Sequence, residues 1–180
     1  LSVASVFFVH HQKQKIMNTI INYFQHQLQE EAVTARKMLE RVPADKLDWQ
    51  PHAKSMSLVR LATHVAEIPN WIPLVTEKDE LDFSKGDYSP HPINSNKDLM
   101  DYFEKNVQDG KAALEKASDD ILDKPWTMRS GEEIYITSTK GEVLRMSLSQ
   151  IIHHRAQLGV YLRLLDIPIP GSYGPSADEN

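Results

Sequence analysis

The chain has 180 residues, 41% of them hydrophobic and 25% charged, which suits one soluble globular domain with a sizeable core. It contains no cysteine, which excludes disulfides, thiolate metal sites and a thiol nucleophile of its own. A net charge of −5 with no long Lys/Arg run argues against nucleic acid as a partner, and no apolar run approaches the ~20 residues that span a bilayer.

Residues 1–16, LSVASVFFVHHQKQKI, open on Leu and place their basic end after the apolar run, the reverse of an export signal. They read as an upstream or foreign leader, and a single domain is expected over residues 17–180, in the cytoplasm. Asn18 or Thr19 can cap a first helix. Its apolar positions Ile20, Tyr23, Phe24, Leu28, Ala32, Ala35, Met38 and Leu39 recur at helical steps. Pro43 ends it near Arg41, and PADKLDWQPH forms a loop that Trp49 packs down.

Ser55 or Ser57 opens a second helix, with Leu58, Leu61, Val65, Ile68 and Ile72 along one side and a kink expected at Pro69. EKDELDFSKGDYSPHPINS is polar and turn-rich and reads as a long connection, with Asp79, Glu80 and Asp82 solvated. A third helix is expected from Asn96 to Ala117. The segment PWTMRSGEEIYITSTKG then breaks the helical period, and Ser130-Gly131 between β-prone flanks suggests a small hairpin. A fourth helix from Glu142 to Asp166 and an extended tail complete the chain. The pattern predicts an all-α protein, an antiparallel four-helix bundle with a small extended or hairpin excursion before its last long helix.

The fourth helix carries the unusual residues. Taking His154 as reference, Val143, Ser147, Gln150, Leu158, Tyr161 and Leu165 fall within about 40° of it at 100° per residue, so His154 is expected to point inward and His153 to sit at the boundary. Ser147, Gln150 and His154 then make a polar line in an apolar face, and buried polar groups need partners. On the second helix His64 lies at the edge of the apolar stripe, and Glu67, three residues on, can hold one of its ring nitrogens. Two inward histidines on different helices can begin a metal site, or they can belong to an ordinary internal hydrogen-bond network. Elsewhere, His26 falls on a solvated face, His52 and His91 lie in proline-flanked loops, and His10 and His11 belong to the leader. Arg155 suits a structural ion pair with a carboxylate or with the acidic tail, and Trp71 suits plain core.

The segments LDWQPHAKSMSLVRLATHVAEIPNW and SLSQIIHHRAQLGVYLRLLDIPIPGSYGPSADE resemble the DinB-like family, helix-bundle proteins related to YfiT-like metal-dependent hydrolases. The likeness runs from about Met17 to the C-terminus. It implies a divalent metal ion, zinc or nickel, held by one His on the second helix and two spaced H-x-x-x-H on the last. His64 matches the first ligand, and His154, followed by Arg155-Ala156-Gln157, matches the last. Where the family has the remaining His, this chain has Gln150, whose carbonyl oxygen is a poor donor to borderline metals. Three readings stay open: a His64, Gln150, His154 metal site, a site that recruits His153, or a bundle that has lost its metal. The resemblance further implies a small-molecule substrate, transferase or isomerase chemistry with a low-molecular-weight thiol or else hydrolysis, a stress-response setting and a homodimer. The alternative is a non-catalytic bundle that binds a small molecule or dimerises.

Overall fold

The computed structural model describes residues 19–86 and 91–179; the leader expected over residues 1–16 and the cap expected at Asn18 lie outside the described residues. Helix α1, Thr19–Leu39, buries Leu28, Ala32, Ala35, Met38 and Leu39 of the expected stripe, but at its start Ile21 is buried while Ile20 and Tyr23 are exposed. Its start is not capped by Thr19, which is already helical. The Asp119 carboxylate, remote in sequence, accepts the Ile20 and Ile21 N–H groups at 3.1 and 2.9 Å. At the other end Asn96 Nδ2 donates to the Leu39 and Val42 carbonyls, so the next long helix closes the first.

Ser57 caps helix α2, Leu58–Glu67, by accepting the Arg60 N–H. Proline then acts as expected: a 3-10 turn over Ile68–Asn70 separates α2 from α3, Trp71–Glu77. Against this break packs Gly110 of α4, Asn96–Lys116. A methyl group on Gly110 would lie 2.9 Å from the Pro69 carbonyl oxygen, so the glycine is required by close approach rather than tolerated.

The connection after α3 differs from its sequence reading. Glu80–Asp82 is a strand, β1, and pairs in parallel with β2, Pro125–Ser130. β2 runs antiparallel to β3, Glu133–Thr139, through the expected turn at Gly131, whose φ is 59°. The chain is therefore mostly helical but carries a three-stranded sheet in the order β1-β2-β3, not an all-α fold. Asp82 is buried rather than solvated. Its carboxylate accepts the Gly131 N–H at 3.0 Å and both the N–H and hydroxyl of Ser84. Those bonds, the Gly131 one foremost, hold its pKa down to about 2. Asp79 is exposed, as expected, while its carboxylate pairs with buried Lys140 at 2.8 Å. A polar stretch reads as solvent-facing because the groups that satisfy it lie some 50 residues away.

Helix α5, Lys140–Leu164, starts at a capping box in which Thr139 and Glu142 exchange side-chain and backbone hydrogen bonds. α1, α2 and α3 all pack on both α4 and α5, and the core includes fully buried Phe103, Trp126, Leu58 and Leu158. Each such side chain contributes about 1.5–3 kcal/mol by leaving water. No helix among the described residues is long and apolar enough to cross a membrane.

Candidate functional site

On α5 the buried residues are Lys140, Val143, Leu144, Ser147, Leu148, Ile151, Arg155, Leu158, Gly159 and Leu162. At about 100° per residue that arc is centred roughly 70° from His154. His154 and Gln150 therefore sit at the margin of the buried face, both half-buried, rather than at its middle, and His153 is exposed. Two residues turn the helix from its expected setting. Arg155, polar by type, is buried against Glu31. Gly159 brings the helix close to Met38, which a methyl group at that glycine would meet at 3.4 Å. Nor does Ser147 extend a polar line: its hydroxyl donates to the Val143 carbonyl of its own helix at 2.9 Å.

That margin faces α2. The His64 and His154 rings stand edge to face with centroids 4.5 Å apart. His64 Nδ1 lies 2.6 Å from Glu67 Oε1, the contact that their i, i+3 spacing makes available, and Glu67 is itself buried. His154 Nδ1 lies 2.9 Å from Gln157 Oε1. Both partners are oxygen acceptors, so both rings carry their proton on Nδ1 and keep the Nε2 lone pair for another ligand. Burial pushes the His154 pKa down, and the neighbouring His64 and His153 rings act the same way against the opposing Gln157 bond. The ring stays neutral, the form that binds metal.

The site opens into two cavities that share His64 as a wall. One, about 250 Å³, is enclosed by Ile68, Trp71, Met128, Met146, Ser147 and Gln150. The other, about 590 Å³, is lined by Met56, Arg60, Thr63, Glu67, His91 and Ile93 among others. Trp71 packs against the core, as its sequence position suits, and also forms part of a cavity wall. Met128 reaches the site from β2, and no local sequence signal marks it. His91 stacks on Tyr102 with ring centroids 4.2 Å apart, which explains how a loop histidine comes to line the second cavity.

Helix order, the Pro69 break, the hairpin before α5 and the paired histidines all accompany a family match. A model of the DinB family matches residues 13–180. The chain belongs to the DinB family. Solved DinB-like structures share the fold: one from Bacillus subtilis is 17% identical with a TM-score of 0.66, covering 86% of this chain and 99% of that one. Another, from Bacillus cereus, is 22% identical with a TM-score of 0.62, covering 83% of this chain and 95% of that one. No curated protein matches the chain.

The donor set bears on whether a DinB-type metal ion suits this chain. Two imidazoles bound tetrahedrally to one ion at about 2.0–2.1 Å have ring centres roughly 5 Å apart, so the observed 4.5 Å is slightly closer than a shared ion would hold them. Glu67 and Gln157 on the outer nitrogens are the orienting shell such ligands require. The third donor is weaker. Among the described residues no three His, Cys, Asp or Glu side chains come together as a metal group. Gln150 shares a cavity wall with His64, and its side chain makes no hydrogen bond among the described residues. Two strong donors and a carboxamide fit a weakly held ion.

Proposed function

We propose that this DinB family protein is a divalent-metal-dependent enzyme, with zinc or nickel held by His64 and His154 and by the Gln150 carbonyl oxygen. The observation that carries the reading is the 4.5 Å pairing of two imidazoles whose Nδ1 atoms are both engaged elsewhere. Such an ion would supply Lewis acidity and bring a small thiol or water to nucleophilic strength near neutral pH. The chain's own residues prepare that chemistry. Glu67 and Gln157 hold the Nδ1 protons and so fix which nitrogens face the reactants. Trp71, Met128 and Met146 exclude water on one side of His64, which strengthens electrostatic contacts there. The cysteine-free chain has no nucleophilic thiol, so a small-molecule thiol or water would serve. The reaction class favoured is transfer or isomerisation with a low-molecular-weight thiol, with hydrolysis as the variant in which water attacks.

One observation favours a second reading, a metal-free bundle that binds a small molecule: the third position holds a carboxamide, and no group of three strong ligands is found among the described residues. Metal analysis of untagged protein, with chelator competition, separates the two. Stoichiometric zinc or nickel that disappears in His64→Ala and in His154→Ala supports the enzyme. Metal-free protein whose melting temperature ignores added zinc and nickel supports the binding bundle. Gln150→His is expected to raise zinc affinity by at least about ten-fold, since it replaces a poor donor with a good one at the same helical position. An unchanged affinity would show that this position does not face the ion.

A further inference from the structure

Arg60 stands one helical turn before His64, on the same face of α2, and both line the larger cavity. Its guanidinium makes no ion pair or hydrogen bond with a described residue, unlike Arg36, Arg129, Arg155 and Arg163, each of which is tied to a carboxylate. The smaller cavity, which shares His64, is walled mainly by apolar or soft side chains, Ile68, Trp71, Met128 and Met146, beside the polar Ser147 and Gln150. His64 thus lies between a cation lining one cavity and a largely apolar recess.

We propose that the site binds an elongated organic carboxylate, its anionic end on Arg60 and a planar or branched apolar group in the recess beside Trp71. This deepens the reading of the His64–His154 pair as the reactive centre and rests on it, because the middle of such a molecule would pass His64, against which the His154 ring packs. A guanidinium presents paired N–H donors that match a carboxylate. A single negative charge suits the cavity better than a phosphate dianion: its other charged group is the Glu67 carboxylate, and Arg60 is a lone cation against it. The recess has a volume of about 250 Å³, ample for an aromatic ring, since an apolar cavity of about 150 Å³ already holds benzene. Soft thioethers and an indole favour a polarisable ring over a plain alkyl chain.

The probe is 4-phenylbutyrate, compared with neutral 4-phenyl-1-butanol, titrated by calorimetry into zinc-free and zinc-saturated protein. The acid is expected to bind about five-fold tighter than the alcohol, the value of one partly exposed ion pair. Arg60→Gln should abolish that preference while leaving the alcohol's affinity unchanged. Met146→Trp, which fills the recess, should weaken both ligands by about ten-fold or more; Met128→Trp makes the same test from the sheet side should the first variant fold poorly. Both probes should shift the Trp71 indole N–H resonance. Absence of binding by either probe, equal affinities in the wild type, or a preference that survives Arg60→Gln would overturn the proposal. Acid preference in zinc-free protein supports the two-ended site whether or not zinc itself binds, so failure of the metal reading is told apart from failure of this one.

Discussion

His154 and Arg155 are neighbours on α5, yet they belong to opposite kinds of polar cluster. Arg155 points into the core, where its guanidinium bonds the Glu31 carboxylate and backbone carbonyl. Glu31 also accepts from the Tyr173 hydroxyl at 2.6 Å, and the Tyr173 ring lies 5.5 Å from the Arg155 guanidinium carbon. Arg155 is 2% exposed and Glu31 4%, and their bonds are made within the protein. His154, turned by about 100°, is half-buried, has one ring nitrogen held by Gln157, and packs its ring edge to face on His64. Buried ions that are paired with each other hold a fold together; a half-buried ring with one nitrogen engaged has capacity left for a ligand. The difference lies in which valences remain, not in which residues are polar.

That contrast is broken most easily from the Arg155 side. Arg155→Met should cost about 3–5 kcal/mol in chemical denaturation, because it strands the Glu31 carboxylate in the core. Adding Glu31→Leu should recover most of that loss, as expected when an apolar pair replaces a buried ionic one. His154→Ala should change stability by no more than about 1 kcal/mol, since the ring is half-exposed, while removing whatever metal the wild type holds. A loss as large as that of Arg155→Met would place His154 in the structural network and remove the distinction. Tyr173→Phe deletes one hydrogen bond to Glu31 and should cost about 1 kcal/mol, with metal binding unaffected.

The smallest effect concerns the tail. Asp178 has its pKa lowered to about 2, first by the Arg163 guanidinium and then by the Ile169 N–H, which donates at 2.9 Å. A carboxyl whose folded pKa is depressed contributes stability above its unfolded value, about 3.9, and loses it as pH falls through the folded one. The tail should therefore stay docked at neutral pH and loosen between about pH 4 and pH 2, read as increased amide exchange at Ile169. The His64–His154 ring contact does not involve Asp178, so Arg163→Gln should loosen the tail at neutral pH and leave metal binding unchanged.

How much was legible in sequence varies with how far each partner lies along the chain. The helical stripes, the break at Pro69, the hairpin at Ser130-Gly131 and the His64–Glu67 contact all follow from spacings of a few residues. β1 was read as a solvated connection because its pairing partner, β2, begins 45 residues after Glu80. The rotation of α5 was misjudged because an arginine and a glycine form part of its buried face, and residue type alone counts neither as core. Arg60 and Met128 went unnoticed for a related reason: lining a cavity is a property of the elements that enclose it.

By itself the chain determined which segments are helical, where they break, and that histidines stand on two of those helices with an acidic residue one turn from the first. Those are consequences of local sterics and hydrophobic period, decided within a turn or two. Tertiary packing alone decided that the His64 and His154 rings meet edge to face, that a short parallel strand pairs with the hairpin, and that a cation and a largely apolar recess adjoin His64. Each of these depends on groups brought together across the chain, where the free energy of burial, rather than neighbouring residues, selects the orientation.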